Sequence, residues 1–208
     1  MSTSYLYQAI ESVTEDMLRS MVLDRQDMPQ QYLDFELLRE GILENSSMAE
    51  RSLRQRSASD LRAIGRVTGF VLEFTNALDQ DSYSPDTELM VGSAVHLFDH
   101  TDDVSRWMNE VFVGDFERAV PQKTGEGKEI ALVVKFSPEG LTDDSVGLFV
   151  SQEQDHGLIS TTIVDFRLGK LLGVTYMVTA GDVRRGAEVE SLAQRLERKV
   201  VSVVLGPS

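Results

Sequence analysis

Cysteine is absent from the 208-residue chain. That absence removes thiol nucleophiles, disulfides and thiolate metal sites together, and leaves the redox compartment open. Histidine is scarce, with three in all, so imidazole chemistry has few places to start. No run of about 18 apolar residues is present to span a bilayer, and the N-terminus, "MSTSYLYQAIESVTEDM", lacks the basic start and apolar stretch of a secretory signal. As given, the chain reads as soluble. Basic charge is also short, with 20 Lys and Arg against 34 Asp and Glu, a formal net charge of -14. A surface of that sign repels nucleic acid and anionic membranes, which argues against both as partners.

What is present suffices for a core. With 41% hydrophobic residues the chain reads as one domain over residues 1–208, two small ones being the alternative. Residues 1–50 hold ten acids and three bases, a solvated face or a surface for a basic partner. Leu6, Ile10, Val13, Met17 and Met21 predict a peripheral helix over 5–23, continuous or broken, with Ser12 and Glu15 as a capping box partway along. Pro29 ends it, and a strand is expected at 32–40. Asn45 is placed to cap an exposed helix, with Glu50 and Arg54 spaced as a surface pair. Phe70, Leu72 and Phe74 alternate against Val71 and Glu73, the period of a half-buried strand. "ELMVGSAVHLF" is apolar on both faces, as in the middle of a covered sheet. Thr101 is placed to cap a helix running to about Phe116, with Asp102 and Asp103 in its first turn and Val104, Trp107, Met108, Val111 and Phe112 on one face. Strands at 129–136, 146–152, 159–167 and 170–179 and a helix at 187–203 complete an α+β fold: a largely antiparallel sheet of about seven strands with helices packed on it.

The candidate motifs each lack a residue that their chemistry requires. "HLFDH" sets His96 and His100 four apart, but the metalloprotease motif requires Glu where Leu97 stands. His96 falls in a strand and His100 past its end, roughly 13 Å apart if extended, so no metal is assigned. "DQDSYSPDTE" places Asp79 and Asp81 like the first ligands of a calcium loop, then Tyr83, Ser84 and Met90 where an oxygen ligand, glycine and glutamate belong. "TGEGKE" lacks the remaining phosphate-loop residues around Gly127 and Lys128. "QDHG" joins Asp155 to His156 with no serine elbow nearby, and the pairs Asp102–Asp103 and Asp143–Asp144 read as caps and turns. Trp107 reads as core. No catalytic residue and no cofactor is assigned. The place for a functional contact is the loop from Asp79 to Glu88, where Asp79, Asp81, Asp86 and Glu88 surround Tyr83 and would attract a basic partner.

The succession "MVLDRQDMPQQYLDFELLREGILEN", "IGRVTGFVLEF", "VGSAVHLFDHTDDVSRWM" and "GAEVESLAQRLERKVVSVV" resembles uncharacterised bacterial cell-envelope proteins, lipoproteins or sensor portions of membrane proteins, over roughly residues 20–205. More distantly, it is similar to the Mog1/PsbP-like fold. The resemblance implies an extracytoplasmic binding domain and transfers no residue role. The chain departs from the pattern in lacking a signal peptide and a lipid-bearing cysteine, so it is either a mature fragment or cytoplasmic. The leading expectation is a non-catalytic binding module of the cell envelope that contacts a small ligand or a protein partner. The alternatives are a small-molecule hydrolase or carrier with a pocket built from distant residues, and a structural subunit.

Overall fold

The computed structural model describes residues 3–77, 84–120, 129–154 and 157–206. Its centre is a seven-stranded sheet in the order β1-β2-β3-β7-β6-β5-β4, every neighbouring pair antiparallel. The strands are β1 (Glu36–Ile42), β2 (Arg66–Thr75), β3 (Glu88–Phe98), β4 (Glu129–Phe136), β5 (Ser145–Gln154), β6 (Gly157–Leu168) and β7 (Leu171–Ala180). Two meanders, β1-β2-β3 and β4-β5-β6-β7, meet where β3 pairs β7. The expected α+β class and the central place of β3 are borne out. The β6–β7 hairpin turns through Gly169, whose φ of 58° suits a residue without Cβ.

Helices cover both faces. On one lie α1 (Thr3–Ile10), α2 (Leu18–Met21) and α7 (Gly186–Leu205). Helix α7 buries Val189, Leu192, Ala193, Leu196 and Val200, a helical stripe, against Val91, Val95, Val164, Phe166 and Met177 of the sheet. The other face carries two excursions from the meanders. α3 (Asn45–Glu50) and α4 (Ala58–Ala63) join β1 to β2; α5 (Thr101–Arg106), a π-helical segment (Trp107–Val113) and α6 (Gly114–Arg118) lead from β3 to β4.

Of the two forms open to the N-terminal helix the broken one occurs: the chain leaves α1 at Ile10, turns Val13 into the core, and resumes through a 3₁₀ turn at Glu15–Met17, where Thr14 makes no side-chain cap bond. Several other local expectations are corrected. The strand expected at 32–40 starts at Glu36, because Tyr32 and Phe35 are buried in the core ahead of it. Glu44 rather than Asn45 occupies the α3 N-cap position. A second helix, α4, follows with its own capping box between Ser57 and Asp60. His100, not Thr101, precedes α5, without a side-chain cap bond. Strand β2 is covered on both faces, since Val71 and Glu73 are as buried as Leu72 and Phe74.

A cavity beneath a split helical roof

The two excursions form one roof. Arg56, in the α3–α4 connection, donates two bonds of 2.8 Å to the buried Asp115 of α6, the bidentate geometry that a guanidinium offers a carboxylate. This pair stitches segments that lie 59 residues apart in the chain. Beneath it, above the sheet, is a cavity of about 460 Å³. Its roof is Met48, Leu61, Trp107, Val111, Phe112 and Phe116, and its floor comes from four strands: Met90 and His96 of β3, Val174, Tyr176 and Val178 of β7, Ile163 and Asp165 of β6, and Val150 of β5. Arg51 and Leu53, both exposed, stand at its rim. The π-helical stretch belongs to this site, as such stretches often do.

Two glycines shape the floor. A Cβ on Gly92 would lie 2.5 Å from the Tyr176 ring, and one on Gly69 would lie 2.6 Å from His96 Nδ1. Glycine therefore lets both rings lie across the neighbouring strand. The Tyr176 hydroxyl reaches over β3 to donate to Glu73; burial, then the Glu73 charge, pushes that phenol well above its ordinary range.

At the β3 end a bulge between Arg66 and Thr68 breaks the alternation and turns Arg66 onto this face. Its side chain is fully buried, donating to His96 Nδ1 (2.9 and 3.2 Å), Asn45 Oδ1 (2.6 Å) and the Leu43 carbonyl (2.7 Å). Burial lowers its pKa to about 10. The guanidinium sits 5.9 Å from the Trp107 ring centre, close enough for a cation–π contact. His96 is held well below its ordinary range by burial and then by the Arg66 charge. It is neutral, and because Nδ1 accepts from Arg66 the ring proton is on Nε2.

Asp165 differs from these. It is 2% exposed, and its Oδ1 is buried with no hydrogen-bond partner. Its cross-strand neighbours are Val146 and Val174. Arg167, two residues along the same face, is drawn off by Asp143 (2.6 and 3.0 Å) and Asp144 (3.0 Å). Burial alone pushes the carboxyl well above the carboxylate range. The unfolded chain therefore ionises this group near pH 4 while the folded chain keeps its proton, and wild-type stability falls as pH rises from about 4 to the folded value, by up to about 1.4 kcal/mol per unit. Asp165→Val, which matches its apolar neighbours, is expected to melt close to wild type at pH 4 and progressively above it toward neutrality. A melting-point difference that stays constant between pH 4 and pH 7 would show that the carboxyl ionises in the fold as readily as in the unfolded chain.

The fold brings few of the residues singled out in the sequence to this site. His96 faces its floor and Trp107 its roof, whereas His100 is exposed past β3. Among the described residues no three His, Asp or Glu side chains gather as a metal site. Asp79, Asp81, Tyr83, Asp155, His156, Gly127 and Lys128 lie outside the described residues. Asp86 has a φ of 77°, and its amide donates to the Ala180 carbonyl while its own carbonyl accepts from Arg185. Glu88 pairs with Arg185 at 2.9 Å. Both stand at the end of the sheet that carries Met90 and Val178. Asp165, Arg66 and Tyr176 belong to no motif, although the inward period of "TTIVDFRL" sets Asp165 in phase with Ile163.

The same architecture occurs in a solved structure. The extracellular domain of PknH from Mycobacterium tuberculosis superposes with a TM-score of 0.57 at 10% identity, covering 90% of this chain and 97% of that one. At that identity the likeness is one of fold. No protein-family model and no curated protein sequence matches the chain. No helix among the described residues is long and apolar enough to cross a membrane.

Proposed function

We propose that this protein is a non-catalytic binding module that takes a small, largely apolar molecule into the cavity between the sheet and its split roof. The observation that carries this reading is Asp165, a carboxyl buried without a partner on the wall of a 460 Å³ cavity. A buried polar group left unpaired costs about 1–3 kcal/mol, and a concave apolar site with a few polar groups is the form that small-molecule sites take. The fold shared with an extracellular domain supports a place in the cell envelope, outside the membrane.

Trp107 is the only tryptophan in the chain and lines the cavity, so it reports occupancy. Prodan, a neutral naphthalene dye that absorbs where indole emits, is expected to quench Trp107 saturably at one site per chain. Val174→Phe, which fills the cavity, should abolish that quenching while the melting point holds. Equal dye binding by Val174→Phe would refute the cavity as the site.

The loop from Asp79 to Glu88 is proposed as a secondary contact for a basic protein partner, because it sets four acids around Tyr83. Such a contact weakens with added salt; a partner indifferent to salt and to Asp86→Asn does not bind there.

A further inference from the structure

We propose that the molecule taken up is an apolar amine, its ammonium seated on Asp165. The inference rests on the cavity reading above and adds the chemistry of the ligand. Three of the polar groups on the walls are engaged: Tyr176 donates to Glu73, Asp115 accepts from Arg56, and His96 Nδ1 accepts from Arg66. Asp165 Oδ1 is the wall acceptor that is buried with no partner among the described residues. A carbonyl or ether ligand can only accept from the protonated acid and leaves its other oxygen unpaired, and a carboxylate ligand brings a second negative charge and no donor. An ammonium brings three donors and no acceptor, and its charge matches the one that ionised Asp165 would carry.

The surroundings agree. Trp107, Phe112 and Phe116 present ring surface to the same space, and aromatic faces attract cations. The net charge of -14 raises the concentration of cations near the protein. The charged and titratable groups around Asp165 are Arg167 on its own strand, Tyr176 on β7, His96 on β3 with Arg66 behind it, and Asp115 with Arg56 in the roof. Arg167 and Arg56 are neutralised by carboxylates. His96 lies about 12 Å away, two strand spacings across and two residues along. Arg51 at the rim is solvated.

Binding has a proton balance. The empty site holds Asp165 as the acid, and the ligand arrives as an ammonium with its N–H bonds intact. Asp165 then releases one proton to water, and the carboxylate and ammonium pair with no change in the charge of the site. Affinity should therefore rise by about tenfold per pH unit below the pKa of the empty site.

The test uses the full chain and three ligands of one length, octylamine, 1-octanol and octanoate, each displacing prodan from beside Trp107. Calorimetry in phosphate and in Tris counts the protons. We expect octylamine to bind at least about tenfold more tightly than octanol, about one proton to be released per amine, and the preference to vanish in Asp165→Asn. Asp165→Val serves as a second variant should the asparagine protein fold poorly. Octanol as tight as octylamine, octanoate binding best, no proton released, or an amine preference that survives both substitutions would each overturn the amine assignment and leave the cavity reading standing. Failure of all three ligands to displace the dye would overturn this inference, and failure of the dye itself to bind would overturn the cavity reading with it.

Discussion

Replacing Arg66 with methionine is expected to destabilise the protein by about 3 kcal/mol or more, since it leaves the three acceptors of a buried guanidinium without their donor, at about 1–3 kcal/mol each. The guanidinium is fully buried and its acceptors are a carbonyl, an amide and an imidazole, with no carboxylate partner among the described residues. Methionine fills similar volume but leaves the Leu43 carbonyl, Asn45 Oδ1 and His96 Nδ1 without that donor. Denaturant midpoints at pH 7.5 decide the matter, and coincident midpoints would show that water replaces the guanidinium at no cost. The pH profile adds a second readout. His96 has a folded pKa below its unfolded value, so it costs nothing above about pH 6.5 and lowers stability as pH falls from there toward the folded value. Part of that depression comes from the Arg66 charge, so the acid-side loss should be shallower in Arg66→Met.

Trp107→Ala should cost about 3 kcal/mol, the low end of the range for deleting a buried aromatic ring. Trp107 is 6% exposed and packs edge-on to Phe98 with ring centres 5.6 Å apart. One side of the ring already faces the cavity, so its removal forfeits fewer contacts than in a close-packed core and enlarges an existing void. Thermal and denaturant melts measure the loss. Unchanged midpoints would place the indole at a solvent-facing surface and sink its use as an occupancy reporter.

The elements that were legible in the sequence are those whose burial is set by their own periodicity. β3 reads as central because both its faces are apolar, and the run from Val104 to Phe112 reads as a packed helix because its stripe is continuous. The π-helical register within that run was not legible, since the spacing of Trp107, Val111 and Phe112 suits an α-helix as well. β1 was placed too early because Tyr32 and Phe35 supply strand-like hydrophobicity to a turn buried by tertiary contacts. The site was legible least of all. Asp165 acquires its character from Val146 and Val174 across two strand pairings, and Arg66 from a bulge, neither of which leaves a trace in spacing. The loop from Asp79 to Glu88 drew attention through length and charge, which report exposure rather than a concave site.

The seam between β3 and β7 has a consequence for how the chain is made. Each meander pairs strands that follow one another, so its loops close at modest entropic cost, whereas the seam joins the third strand made to the last. On the ribosome β3 emerges with one edge unpaired and waits for the last strand of the sheet. The cavity floor straddles that seam, with Met90 and His96 on one bank and Val174, Tyr176 and Asp165 on the other. Nascent chains that stop short of Leu171 thus have a first meander and a cavity floor that lacks the residues of β7.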